Sequence, residues 1–119
     1  MSDTFQWCLD KNKLKTFGKQ VFRIDEYGDK NWYLNGKRHR INGPAIELAN
    51  GSKYWYLNGK RHRINGPAIE CADGYKSWSL NGKLHRENGP AVEYGNGDKA
   101  WWLNGVCFTK SDYWKELYK

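Results

Sequence analysis

Three histidines, His39, His62 and His85, stand 23 residues apart. Each is followed at once by an arginine (Arg40, Arg63, Arg86) and eight residues on by a glutamate (Glu47, Glu70, Glu93). These are the residue types of metal centres and of acid–base catalysis. Zinc holds its ligands about 2 Å away. Equivalent residues in successive units of a sheet lie about 10–14 Å apart at about 4.8 Å per strand, so one ion cannot join two of these histidines. No Cys-x-x-Cys or His-x-x-x-His completes a ligand set. The expectation is a half-buried imidazole packed against tryptophan and hydrogen-bonded to backbone, with no metal and no cofactor. Acid–base catalysis needs one asymmetric pocket with a tuned pKa. Three near-identical Glu/Arg copies offer none, and no nucleophile elbow or phosphate loop is present. The glutamates and arginines are expected to form cross-strand ladders with tyrosine, and the protein is not expected to be an enzyme.

A third set, Tyr33, Arg38, Tyr54, Tyr56, Arg61, Arg63 and Trp102, interleaves aromatic rings with guanidinium groups. Such residues stack bases and neutralise phosphates of a single strand. They also dominate the energetics of protein interfaces. The tyrosine positions become Ser77 and Ser79 in the third copy, where a nucleic-acid track would need them to continue. Protein recognition is therefore favoured, and single-stranded nucleic acid is the alternative.

The elements that must position these residues are copies of one another. Gly28, Gly51, Gly74 and Gly97 keep the step of 23, as do Trp32, Trp55, Trp78 and Trp101, and Gly36, Gly59, Gly82 and Gly105. A constant period of this size marks a repeat architecture. The chain reads as one repeat domain over 1–119: a degenerate copy at 7–27, full copies at 28–50, 51–73 and 74–96, a partial copy at 97–109 and a helical cap at 110–119. The expected fold is all-β, an array of antiparallel hairpins of period 23 forming a twisted sheet, closed by a short C-terminal helix. Trp7, Leu9 and Asp10 match Trp32, Leu34 and Asn35, Gly18 matches Gly43, and Val21 matches Ile46.

Asn-Gly between strand-like runs, as at Asn58-Gly59, signals a two-residue hairpin loop, and Asn50-Gly51, Asp73-Gly74 and Asn96-Gly97 form a second set of the same signal. A two-residue loop at Asn58-Gly59 sets Trp55 opposite His62 and Leu57 opposite Lys60. One at Asn50-Gly51 sets Ile46 opposite Trp55 and Pro44 opposite Leu57. Register sorts the faces. One face collects Pro44, Ile46, Trp55, Leu57 and His62 as core. The other collects Ala45, Glu47, Tyr54, Tyr56, Arg61 and Arg63 and is open to solvent or a partner. Beyond the last turn, Ser111 is the expected N-cap of a helix whose apolar face carries Trp114, Leu117 and Tyr118. So short a helix must dock to persist.

Among the 119 residues the hydrophobic share is 39%, the aromatic share 16% and the net charge +7. A few large rings suit a thin core. The basic balance favours an acidic protein, nucleic acid or anionic lipid as partner. No run of apolar residues is long enough to span a bilayer, and three cysteines in unrelated positions (Cys8, Cys71, Cys107) fit reduced thiols. A cytoplasmic protein is expected. An exposed sheet edge could pair two copies as a homodimer.

The unit Gly-x-Lys-x-Trp-x-Leu-Asn-Gly-Lys-x-His-Arg-x-x-Gly-Pro-Ala-x-Glu resembles the hairpin repeats of the MORN superfamily. It is closer to a variant of that repeat found in small proteins of tailed phages and giant viruses. The resemblance covers residues 28–105 well and 7–27 weakly. It implies a non-catalytic binding surface, on a small phage accessory protein that binds and inhibits a host defence protein in the host cytoplasm. The Tyr-x-Gly-x-Trp core typical of MORN repeats is not kept, so their lipid binding is not carried over.

Overall fold

A computed structural model describes residues 19–119, and its course is set at the Asn-Gly turns. Asn35, Asn58, Asn81 and Asn104 all have φ of 51–53°, and the glycines after them have φ of 80–84°. Both central residues at positive φ make the tight turn whose twist matches the flanking strands. Leu57 faces Lys60 and Tyr56 faces Arg61, with His62 N–H donating to Trp55 O at 3.1 Å, as the sequence predicted.

The second set of turns differs. Leu48 N–H donates to Ser52 O and Gly51 N–H to Leu48 O, both at 2.9 Å, so Ala49-Asn50-Gly51 forms a three-residue loop. Only Gly51 is left-handed there, at φ +96°. The cause is the Asn50 side chain, whose Oδ1 accepts from Ser52 N at 2.9 Å. This local bond holds asparagine in an ordinary turn conformation. Asp73 and Asn96 accept in the same way from Tyr75 N and Asp98 N. The extra residue moves the register by one: Ile46 faces Tyr54 and Glu47 faces Lys53. A one-residue slip exchanges faces. Ile46 therefore joins the tyrosine side and Glu47 the tryptophan side, which corrects the expected sorting.

The main sheet runs through β1 (Gln20–Ile24), β2 (Lys30–Leu34), β4 (Ile46–Glu47), β5 (Lys53–Tyr54), β8 (Ile69–Glu70), β9 (Lys76–Ser77), β12 (Val92–Glu93), β13 (Lys99–Leu103) and β14 (Val106–Phe108), in that spatial order. β3 (Lys37–Arg38) pairs with β2. β6 (Tyr56–Leu57) with β7 (Lys60–Arg61), and β10 (Ser79–Leu80) with β11 (Lys83–Leu84), form separate two-stranded ladders. Every pairing is antiparallel. One row across the sheet alternates charge, Lys30–Glu47–Lys53–Glu70–Lys76–Glu93–Lys99. Its neighbour reads Asn31–Ile46–Tyr54–Ile69–Ser77–Val92–Ala100. Ile69, Ser77 and Val92 of the second row are buried, and so are Ala45, Ala68 and Ala91.

Trp32, Trp55 and Trp78 each bond to two neighbours. Trp55 N–H donates to Ala68 O at 2.7 Å within the sheet, while Trp55 O accepts from His62 within the hairpin. At Trp55 and Trp78 the chain therefore leaves the main sheet, and the hairpins that follow form their own ladders. The molecule measures 53 × 33 × 18 Å, thin enough for one sheet with its side chains. β1 supplies an edge strand, with Phe22 against Trp32 at 4.9 Å. The matches expected at Trp7, Leu9, Asp10 and Gly18, and Cys8, lie outside the described residues.

The helix, α1, spans Lys110–Leu117. Its N-cap is Thr109, whose Oγ1 accepts from Asp112 N at 3.1 Å, and not Ser111. Tyr113 alone is fully buried, whereas Tyr118 is 78% exposed, so the expected apolar face is turned by one residue. Tyr113 wins because its hydroxyl, donating to Arg86 O and accepting from Gly89 N, ties the helix to a backbone loop.

Candidate functional site

Arg63 lies over the ring of Trp55, its guanidinium carbon 3.8 Å from the ring centroid. The same nitrogen, Nη1, donates to Pro67 O at 3.1 Å and to Glu70 at 2.9 Å. Arg40 repeats this with Trp32, Pro44 and Glu47, and Arg86 with Trp78, Pro90 and Glu93. Stacking on indole and bonding two acceptors exploits the flat, many-donor guanidinium. A Cβ on Gly66 would stand 2.8 Å from the Arg63 guanidinium carbon, which explains Arg-x-x-Gly-Pro as a unit. Arg63 is thus a clamp within its own copy, on the tryptophan side, and its placement beside Tyr54 and Tyr56 on an open face is corrected. No tyrosine intervenes between glutamate and arginine, so the expected Glu–Tyr–Arg ladder is replaced by this direct pair.

The histidines join successive hairpins. His39 Nδ1 accepts the backbone N–H of Asn58 at 2.9 Å, His62 that of Asn81 at 3.0 Å and His85 that of Asn104 at 2.9 Å. The neighbouring glycine N–H groups, Gly59, Gly82 and Gly105, donate to Arg38 O, Arg61 O and Leu84 O at 2.8 Å. Both exposed donors of each turn are therefore satisfied by the previous hairpin. Burial pushes the His39 imidazole below its ordinary value. Among the described residues no group of three or more His, Cys, Asp or Glu lies close enough to share a metal ion. None of their helices is long and apolar enough to cross a membrane.

The structure brings together Tyr33, Arg38, Tyr56 and, through its pairing with Tyr56, Arg61. The Arg38 guanidinium lies 5.9 Å from the Tyr33 ring centroid. A shallow hollow of about 270 Å³ opens between Tyr33, Lys37, Arg38 and Tyr56. Both tyrosines are half-buried, while Lys37, Arg38 and Arg61 are exposed. Tyr54 belongs instead to the packed row between Ile46 and Ile69. Its hydroxyl stands 3.9 Å from Cys71 Sγ, and burial first, then this contact, pushes the phenol above its usual range. Trp102 faces Cys107 at the far end of the array, with its indole N–H buried and unpartnered among the described residues. Ser77 and Ser79, matching the tyrosine positions, are buried rather than free.

On the opposite side, two grooves run between successive copies. One, of about 960 Å³, lies between the loop 63–67 and Trp78, Leu80 and His85. The other, of about 560 Å³, lies between the loop 40–43 and Trp55, Leu57 and His62. Ile64 and Ile41 stand at their rims, each 77% exposed. The sequence reading missed both. The available signal was a β-branched apolar residue in an Asn-Gly-Pro loop, where the third copy carries Glu87.

No protein-family model matches the chain, and no curated protein shows significant similarity to it.

Proposed function

We propose that the chain is a non-catalytic protein-binding module, and that it meets an acidic surface of a partner protein through Tyr33, Arg38, Tyr56 and Arg61. The observation that carries this is the hollow itself. Two half-buried aromatic rings are braced by strand pairing and ringed by exposed Arg38, Arg61 and Lys37. Rigid rings with arginine at their rim are the usual centre of a protein interface, and the net charge of +7 steers an acidic partner. Arg63 is left out because it is committed to Trp55, and Tyr54 because it is committed to the packed row. The resemblance to phage repeat proteins suggests a host defence protein as the partner and the host cytoplasm as the place.

Single-stranded nucleic acid is the competing ligand. Burial of Ser77 and Ser79 interrupts any aromatic track midway along the array, and stacking would need it continuous. Capture from host lysate on tagged protein, followed by calorimetry, tests the reading. Arg38→Ala with Arg61→Ala should keep the melting temperature, since both are exposed, and should weaken partner binding about thirtyfold, about 2 kcal/mol. Unchanged affinity in the folded double variant would place the interface elsewhere. A steep log–log loss of affinity with salt, to nucleic acid but not to protein, would favour the competing ligand.

A further inference from the structure

The chain fills one of its own grooves. Between the loop 86–90 and β13, α1 inserts Tyr113, which is fully buried. The phenol hydroxyl donates to Arg86 O and accepts from Gly89 N. Lys110 Nζ stands 5.8 Å from the ring centroid of Trp101, which occupies the repeat position of Trp32, Trp55 and Trp78 without their arginine. Under this cover Gly89 is buried and Leu103 is 9% exposed.

The two preceding grooves are built from matching residues and have no such cover. Arg63 O and Gly66 N correspond to Arg86 O and Gly89 N, as do Arg40 O and Gly43 N. None of these four groups has a hydrogen-bond partner among the described residues. Gly66, Gly43, Leu80 and Leu57 are only half-buried. A carbonyl and an N–H three residues apart in one loop, beside a tryptophan and a leucine, form a socket for one particular group. It must be flat and apolar, and its tip must donate and accept at once. Among side chains a tyrosine meets both requirements, and α1 shows it doing so.

We propose that the two open grooves are receptor sites for a tyrosine carried on a short helix of a partner protein, its hydroxyl bridging Arg63 O and Gly66 N, or Arg40 O and Gly43 N. The exposed Ile41 and Ile64 then flank the incoming helix with apolar surface, as interface cores require. The proposal rests on the protein-binding reading only in taking the ligand to be a protein. It uses the opposite side of the sheet from Tyr33 and Tyr56.

The test uses the full chain, isotopically labelled, and an acetylated peptide of residues 109–119 added in trans at millimolar concentration. Saturable shifts of the Gly43 and Gly66 amides and the Trp55 and Trp78 indole signals are expected. A peptide carrying Tyr113→Phe should bind at least about fivefold more weakly, because both neutral hydrogen bonds of the hydroxyl are lost. In this comparison of two peptides the receptor is unchanged, so its fold is untouched. Equal binding of the two peptides would overturn the proposal. So would shifts confined to Gly89 and α1, which mean exchange with the resident helix, or shifts confined to the Tyr33–Tyr56 hollow. The Arg38→Ala, Arg61→Ala protein should bind the peptide as the parent does. Failure of the peptide on both proteins, with partner binding still lost in the double variant, would sink the socket and leave the proposed function standing.

Discussion

Arg63 shows how much a single side chain holds in this array. Its guanidinium covers an indole, a proline carbonyl and a carboxylate together. Lysine could donate to both acceptors with its three N–H groups, but it lacks the planar guanidinium that covers the indole. Arg63→Lys should therefore lower stability by about 1–2 kcal/mol, read as a fall in the denaturant midpoint with unchanged slope. Gly66→Ala should cost at least as much, because the added methyl would push the guanidinium off Trp55. An alanine variant as stable as the parent would mean the clamp is dispensable. His39 gives a second test. Its Nδ1 accepts a backbone N–H and its pKa is lowered from 6.5, so below pH 6.5 the unfolded chain binds a proton that the folded chain resists. Stability contributed by neutral His39 is present above pH 6.5 and is lost as pH falls toward the folded pKa. Melting temperature should drop on acidification from pH 7 toward 5, with a shallower slope in His39→Gln. Neither role could be read without the register. The sequence reading expected a histidine bonded to backbone, but carrying the strand alternation on past His62, where the hairpin ladder has ended and Arg63 N–H turns to Ser79 O, placed Arg63 and Trp55 on opposite faces.

At the scale of elements, legibility followed how local the determinant was. Asn58-Gly59 turned as predicted because two adjacent residues must both take positive φ, and asparagine followed by glycine tolerates this best. Asn50-Gly51 has the same two letters and a different loop. The Asn50 side chain bonds Ser52 N and leaves glycine as the one left-handed residue. Composition cannot choose between these outcomes, and the choice decided whether Ile46 or Glu47 lies on the tryptophan side. The helix was legible as a helix, but not which residue fastens it. Periodicity favoured Trp114, Leu117 and Tyr118, whereas Tyr113 holds the bonds to Arg86 O and Gly89 N. Tyr113→Phe should cost about 1–2 kcal/mol through those two groups, and Thr109→Ala about 1 kcal/mol through the lost N-cap. Amide exchange over 110–117 should quicken in both. If the helix amides exchange at the parent rate in Tyr113→Phe, apolar burial rather than the hydroxyl seats the helix.

The whole molecule is held by contacts between neighbours along 53 Å, and in such arrays stability is nearly a sum of units and joints. Removing residues 110–119 should therefore act near the end it uncovers. Amide protection should fall over β12 to β14 and stay close to the parent value over β2 to β5. Uniform loss across the chain would instead mean that the array unfolds as one block. The joints themselves have a direction. The imidazole acceptor always lies on the earlier hairpin and the Asn N–H donor on the later one, so the same surface never meets itself. Between separate chains, head-to-tail joints of that kind either close into rings or propagate into filaments. Phe108 stands where the next imidazole would be, and α1 seals the last groove. A further head-to-tail joint of this kind therefore finds neither an imidazole acceptor at residue 108 nor an empty groove beside Tyr113.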